Sequence, residues 1–331
     1  MKIAQFKEFG KPEEVLEVVE QDVEFPVANE VLISIEAAPI HIADLKFMSG
    51  TLTFGRTLPA TPGVEAVGRV VQVGSGVKQF QSGDRVFIPL RISGNGAWRQ
   101  QVKLKENDIT SAPEGDPIQL CLAPINALTS IMLLRGVVKF NPGDWLIQNA
   151  ANSNCGRFLI SLAHRDGNRT VNIVRRDSLI PELKDLGANI VLVDGDDLAL
   201  QVRKATNNAP IKLAIDAVAG KATQRLADCV SYGATILAYG LLSGEPCAVN
   251  PETMFQKHLS LRGFLTTNFM EEMSKAEVTR LQNEVPALIA DGTLTAKIAA
   301  TYTLDQIRDA VRHAAKTGKD RDGKIIILPN G

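Results

Sequence analysis

The stretch from Asn141 to Arg176 constrains this chain most, because its pattern is met only by a strand, a helix and a second strand in succession. Asn141-Pro-Gly-Asp144 is turn chemistry, and Trp145 to Gln148 is an apolar run of the length of a buried parallel strand. Cys155, Phe158, Leu159, Leu162 and Ala163 recur at helical spacing and mark one apolar face. Thr170 to Val174 supplies the second strand. The polar loop from Asn149 to Ser153 thus lies at a strand's carboxyl end and opens a helix. Unpaired backbone N–H groups and the helix dipole there favour an anion, such as the pyrophosphate of a dinucleotide.

The glycines alone leave a plain βαβ crossover open. A dinucleotide fingerprint asks for Gly-x-Gly-x-x-Gly, and only Gly156 remains here, with Ala151 and Asn154 near the other positions. The end of the second strand adds a discriminating charge. An NAD site carries an acid there for the ribose 2′-hydroxyl, whereas a 2′-phosphate calls for arginine. Arg175 and Arg176 occupy that place, which favours NADP(H); the alternative is a solvated basic pair, one member neutralised by Asp177.

With 331 residues the chain suggests two domains, each large enough to bury a core. Its 36 basic and 37 acidic side chains nearly cancel, so no global field recruits nucleic acid or anionic lipid, and a small-molecule partner is expected. Cys121, Cys155, Cys229 and Cys247 are widely spaced, which fits a reducing compartment and neither a disulfide framework nor a structural zinc lobe. The first residues are charged where a signal peptide needs an apolar run, and no apolar run approaches membrane-spanning length. A cytoplasmic protein is expected.

Short β-like runs fill the first part: Lys2–Phe6, Val15–Val19, Val31–Ala37, Val67–Val73, Arg85–Ile88 and Trp98–Leu104. From Ala123 helix and strand alternate through Ile190–Val193, Leu213–Ala217 and Thr235–Tyr239, the pattern of a doubly wound parallel sheet. A helix at 276–290, a strand at 296–302, a helix at 304–315 and a strand at Lys324–Leu328 follow, and are expected to return to the first domain. The fold class is α/β: a Rossmann domain at 123–265, plus a discontinuous, mainly β barrel domain at 1–122 and 266–331.

Pro62-Gly-Val-Glu-Ala-Val-Gly68, Gly74 and Gly83-Asp-Arg-Val86 place glycines where a tight barrel needs positive φ or close backbone approach. With the central βαβ array, this resembles the medium-chain dehydrogenase/reductase superfamily with its GroES-like catalytic domain, over essentially the whole length. The family's Gly-His-Glu signature reads Gly63-Val64-Glu65 here. Where zinc alcohol dehydrogenases carry a cysteine and, three residues on, an aspartate, this chain has His41-Ile-Ala-Asp44. Val64 cannot coordinate and the four-cysteine lobe is missing, so no metal is expected.

Among zinc-free branches the chain is most similar to the mitochondrial-type 2-enoyl thioester reductases, then to quinone oxidoreductases. The string Gln148-Asn-Ala-Ala-Asn-Ser-Asn-Cys-Gly156 carries this, with Gly96-Ala-Trp-Arg99, Pro124-Ile-Asn-Ala-Leu-Thr129, Val171-Asn-Ile-Val-Arg175, Ala238-Tyr-Gly240 and Leu261-Arg-Gly-Phe264. Within the string Asn154 replaces a glycine. The resemblance implies that the loop Asn152, Ser153, Asn154, Cys155 and Gly156, with Arg175, Arg176, Tyr239 and Lys324, contacts NADPH. It also implies that Asn126 and Thr129 face the nicotinamide or the substrate. Each has a structural alternative: Asn126 and Ser153 as helix caps, Tyr239 as core, Lys324 as part of the charged turn from Lys319.

The family's acidic tyrosine falls at Leu52, and Tyr232, Tyr239 and Tyr302 all lie elsewhere. His41 is the candidate replacement, since imidazole donates a proton near neutral pH, though a lone loop histidine is more often structural. Asp44 is expected to anchor its loop through backbone hydrogen bonds. The activity expected is NADPH-dependent hydride transfer to an activated C=C bond of an α,β-unsaturated carbonyl or enoyl thioester. Quinone reduction and NADPH binding without turnover are the alternatives. Phe54, Trp98, Leu241, Leu265 and Phe269 are either pocket lining or core, and a homodimer joined near Leu259–Gly263 is expected by analogy.

Overall fold

The computed structural model describes residues 1–52, 57–89 and 95–331. Two units are distinguished: unit 1 holds 1–125, 285–290 and 295–331, and unit 2 holds 126–284 and 291–294.

Unit 1 begins with β1 (Lys2–Gln5), α1 (Pro12–Val15), β2 (Glu17–Glu20), β3 (Glu30–Pro39), α2 (Ile42–Met48), β4 (Glu65–Val73), β5 (Arg85–Pro89), β6 (Gln101–Lys105), β7 (Thr110–Ser111) and α3 (Pro117–Leu120). β3 is the hub, pairing antiparallel with both β4 and β6, while β4 continues to β5 and β7. Gly68 in β4 is required there, because a Cβ would sit 2.4 Å from the Ser34 carbonyl oxygen. The core beneath gathers Phe6, Ile33, Ile35, Met48, Ile88 and Trp98. The strands expected from Val15 and from Trp98 begin later. Val15 closes α1, which Pro12 starts with its preset φ, so the strand begins at Glu17. The run from Trp98 enters β6 only at Gln101, because Trp98 is engaged outside the ladder, its N–H donating to Pro62 and its carbonyl accepting from Ala4.

Unit 2 runs α4 (Leu128–Arg135), β8 (Trp145–Gln148), α5 (Asn154–Arg165), β9 (Arg169–Val174), α6 (Ile180–Asp185), β10 (Ile190–Val193), α7 (Leu198–Thr206), β11 (Ile211–Asp216), α8 (Lys221–Cys229), β12 (Thr235–Ala238), α9 (Pro251–Lys257), β13 (Ser260–Gly263) and α10 (Thr266–Glu272). Its sheet is parallel throughout, in the order β10-β9-β8-β11-β12-β13. That is the doubly wound arrangement, with its topological switch between β8 and β11. β8 is buried at every residue, as a strand covered on both faces must be. The expected apolar face of α5 is buried, and so are Asn154, Gly156, Arg157 and Ile160, because α5 packs against α4 as well as the sheet.

α11 (Lys275–Ala290) leads to β14 (Ile298–Thr303), α12 (Ile307–Ala315) and β15 (Lys324–Leu328), and β15 joins β14 to β3. The return to unit 1 therefore comes later than the expected residue 266. Residues 266–284 stay with unit 2 because Phe269 stacks on Phe264 at 4.8 Å and Arg135 pairs with both Asp166 and Glu284.

Candidate active site

At the switch point, two neighbouring strands end in a shared hydrogen-bond clasp. The Asn149 side chain donates from Nδ2 to Asp216 Oδ1 at 2.6 Å and accepts at Oδ1 from the Ala217 N–H at 2.7 Å. Asp216, fully buried, also accepts from the Val218 and Ala219 amides and from the Thr223 hydroxyl. Such a saturated carboxylate fixes the width of the crevice at the strands' carboxyl ends.

The loop after β8 turns sharply into α5. Ala150 adopts φ +47°, the left-handed conformation usually left to glycine, which explains how a loop poor in glycine makes the turn. Ser153 is the N-cap, its Oγ accepting from the Gly156 N–H at 3.1 Å. A Cβ on Gly156 would lie 2.7 Å from the Ala151 carbonyl oxygen, so helix and loop touch backbone to backbone here. Asn154, 7% exposed, keeps its side-chain Nδ2 without a hydrogen-bond partner among the described residues. A buried donor left open costs about 1–3 kcal/mol, and an anion at this helix start would satisfy it. The residues therefore fit the phosphates of a dinucleotide.

Tyr239 follows β12, and its hydroxyl reaches Cys155 and Ser153; burial and the Cys155 contact push it well above the usual phenol range. Ser130 Oγ, in α4, lies 2.8 Å from the Asn126 carbonyl and 3.2 Å from that of Cys155, tying α4 to the start of α5. Asn126 sits in a π-helical turn, 123–127, directly before α4. Thr129 Oγ1 shares a hydrogen bond of 2.6 Å with Thr266 Oγ1. Arg175 and Arg176 follow β9, the strand beside β8; Arg175 is exposed, and among the described residues neither guanidinium meets Asp177 or another carboxylate.

His41 and Lys324 lie in unit 1. Lys324, first residue of β15, places Nζ 3.1 Å from His41 Nδ1 and 3.3 Å from the Ile40 carbonyl. The other ring nitrogen, Nε2, is 2.6 Å from Glu65 Oε1, and Glu65 Oε2 accepts from the Ile125 N–H at 2.6 Å. Asp44, 1% exposed, accepts from the His41 and Gly63 amides, which is the loop anchor expected of it. Burial raises the Asp44 carboxyl against the opposing charges of His41 and Lys324. Burial also pulls the Lys324 ammonium down to about 8, although Glu65 and Asp44 favour its charge. Cys121 is buried close by, its thiol pushed well above the usual range by desolvation. Among the described residues no three His, Cys, Asp or Glu side chains gather as a metal site.

Comparison with known proteins places this geometry. Residues 27–114 match the alcohol dehydrogenase GroES-like domain, and residues 155–283 the zinc-binding dehydrogenase domain. The mitochondrial enoyl-[acyl-carrier-protein] reductase of Xenopus tropicalis is 30% identical over 316 residues, 93% of this chain and 90% of that protein. This chain belongs to the enoyl-[acyl-carrier-protein] reductase family, within the medium-chain dehydrogenase/reductases. The Caenorhabditis elegans member is 34% identical over 259 residues, covering 76% of this chain and 73% of that one. Among solved structures, a Bacillus thuringiensis protein assigned as an NADPH:quinone reductase superposes with a TM-score of 0.90 at 28% identity, covering 99% of this chain and 98% of that one. The Escherichia coli quinone oxidoreductase complexed with NADPH shares the fold, with a TM-score of 0.86 at 24% identity over 99% of this chain and 100% of that one.

In this member of the family, Ser153, Asn154, Cys155, Gly156 and Tyr239 come together at one helix start, with Asn152 just before it. Leu52, at the family's tyrosine position, is a partly buried side chain packed against the unit 1 core. Trp98 and Phe269 are core, Leu241 and Leu265 are exposed, and Phe54 lies outside the described residues. Thr266 and the role of Glu65 as partner of His41 are additions from the structure. Both lie far in sequence from the groups they contact, and neither carries a local signal.

Proposed function

We propose that this chain reduces the activated double bond of α,β-unsaturated thioesters with NADPH. The observation that carries this is the Ser153-capped loop at the β8/β11 switch point, with Arg175 and Arg176 at the end of the neighbouring strand, in a chain of the enoyl reductase family. When bound, NADPH supplies a hydride to the electron-poor β-carbon. Asn152, Ser153, Asn154, Cys155 and Gly156 hold the pyrophosphate with helix amides and the open Asn154 amide, and Tyr239 closes that side. Arg175 and Arg176 take the 2′-phosphate. Asn126 and Thr129 orient the nicotinamide and the substrate carbonyl, the Thr129 hydroxyl being aimed by Thr266. The polar loop is held in advance by the Asn149–Asp216 clasp, so little reorganisation is left for the bound state.

Quinone reduction is the second reading, favoured by the likeness to the Bacillus thuringiensis protein assigned as an NADPH:quinone reductase. The protein acts as a homodimer in the cytoplasm under this proposal. Strand β13 ends the unit 2 sheet, and Tyr232, Phe255 and Leu261 are exposed on or near that edge. Among the described residues the four cysteines form no disulfide with one another, which accords with a reducing compartment. No helix among the described residues is long and apolar enough to cross a membrane.

NADPH fluorescence titration, followed by additions of crotonyl-CoA, an enone and a quinone, tests the activity. Saturable binding with oxidation on crotonyl-CoA supports the thioester reading, and oxidation only on the quinone supports the second. Binding without turnover on any acceptor would mean a non-catalytic binder. Sedimentation velocity reads the dimer, and a monomer at micromolar concentration removes it.

A further inference from the structure

A parallel strand covered on both faces is ordinarily filled with aliphatic side chains. The last residue of β8 is nevertheless Gln148, fully buried, and its neighbour across the ladder in β9 is Asn172, fully buried as well. Gln148 Oε1 meets no hydrogen-bond partner among the described residues, a cost that an apolar side chain of the same volume avoids. What the amide does in return lies at its other end. Nε2 donates to the Gly156 carbonyl at 2.9 Å and to Asn172 Oδ1 at 2.8 Å.

The direction of these bonds is set from further along the sheet. The Ile190 carbonyl, in β10, can only accept, so Asn172 turns Nδ2 towards it at 3.0 Å, and the same Nδ2 reaches Thr170 Oγ1 at 2.8 Å. Asn172 Oδ1 is thereby left facing Gln148, which must answer with its NH2 group. The second hydrogen of that group goes to Gly156. A relay of one polarity therefore runs from β10 through β9 and β8 into the first turn of α5. Gly156 is held on three sides: Ser153 accepts from its N–H, Gln148 donates to its carbonyl, and its Cα lies against the Ala151 backbone with no room for a methyl. It is the third residue of α5, so fixing its peptide planes fixes the helix start that Asn154 and Cys155 open.

We infer that Gln148 is a positioning residue for the nucleotide, setting the direction in which the amides at the start of α5 meet the pyrophosphate, and that Asn172 acts through it. The inference rests on the reading of this loop as the pyrophosphate site. A donor that cannot leave the sheet holds the helix start in its binding geometry before the nucleotide arrives, so less ordering is left to the bound state. The relay lies wholly within unit 2 and needs no other part of the chain.

The test titrates NADPH and 2′-AMP into wild type, Gln148→Met, Asn172→Leu and the double variant, with folding read by circular dichroism. 2′-AMP carries the phosphate assigned to Arg175 and Arg176 but no pyrophosphate, so it reports the remainder of the nucleotide site. Gln148→Met fills the same space without a donor and should bind NADPH about tenfold more weakly, the equivalent of one hydrogen bond, with 2′-AMP unchanged. In turnover, its KM for NADPH should rise by that factor while kcat at saturating NADPH is kept; a loss of folded protein would instead lower kcat and leave KM still. Asn172→Leu frees the Gln148 amide to turn and should cost roughly threefold in NADPH affinity, and the double variant should lose no more than Gln148→Met alone, since coupled residues are not additive. If Gln148→Met does not fold, Asn172→Leu decides by the same pair of titrations. Equal weakening of NADPH and 2′-AMP, or full NADPH affinity in folded Gln148→Met, would overturn the inference. A wild type that binds neither nucleotide would instead remove the pyrophosphate reading on which it stands.

Discussion

Arg175 and Arg176 show how much a residue type can reveal through its place in the chain. They follow a strand that neighbours the one opening a polar loop, and this position separates a phosphate from a hydroxyl; in the fold, Arg175 is exposed at that strand end. Replacing both by alanine is expected to weaken NADPH roughly 10- to 100-fold and leave NADH unchanged, because hydrogen bonds to charged groups are worth about 1.5–3 kcal/mol. Isothermal titration with both nucleotides checks this, and an equal loss for NADH would take the 2′-phosphate away from these side chains. Ser153 is legible in the sequence as either a cap or a cofactor contact, and the structure shows the cap. Lys324 is legible there only as part of a charged turn or a nucleotide contact. Its partner His41 lies 283 positions away, and no local pattern encodes a pairing across that distance.

The same contrast holds for elements. β8, β10 and β15 begin and end where the sequence places them, each being a short run dense in Ile, Leu, Val or Trp. The turn into α5 is harder to read, since its left-handed residue is Ala150 and a fingerprint counts glycines. α2 escapes the sequence pattern, its start being set by the Asp44 carboxylate on the His41 amide within a seven-residue helix too short for a periodic signal. Gly156 is where the nucleotide element is least tolerant. Gly156→Ala forces a methyl against the Ala151 backbone and is expected to destabilise unit 2 by about 1–3 kcal/mol in chemical denaturation, with weaker NADPH binding. Unaltered stability would mean that loop and helix separate more easily than their contact suggests.

At the scale of the whole molecule, fold class and family are legible over the full length, while the late return of the chain to unit 1 is not. That boundary is set by Phe269 on Phe264 and by Glu284 on Arg135, contacts between segments with no shared local pattern. Unit 1 is closed by β15, which pairs with β3 and β14 and carries Ile325, Ile326 and Ile327 into the interior. A chain ended at Gly323 is therefore expected to show, under limited proteolysis, rapid loss of residues 1–125 and a protected fragment spanning 126–284. Comparable resistance of both parts would show that β15 is dispensable. During translation, residues 1–125 must wait for β15, made after all of 126–284, before their sheet is complete, whereas the central part can mature meanwhile. Lys324, the first residue of β15, is thus made long after the loop before α5, so a nascent chain holds its nucleotide loop well before it holds the strand that completes unit 1.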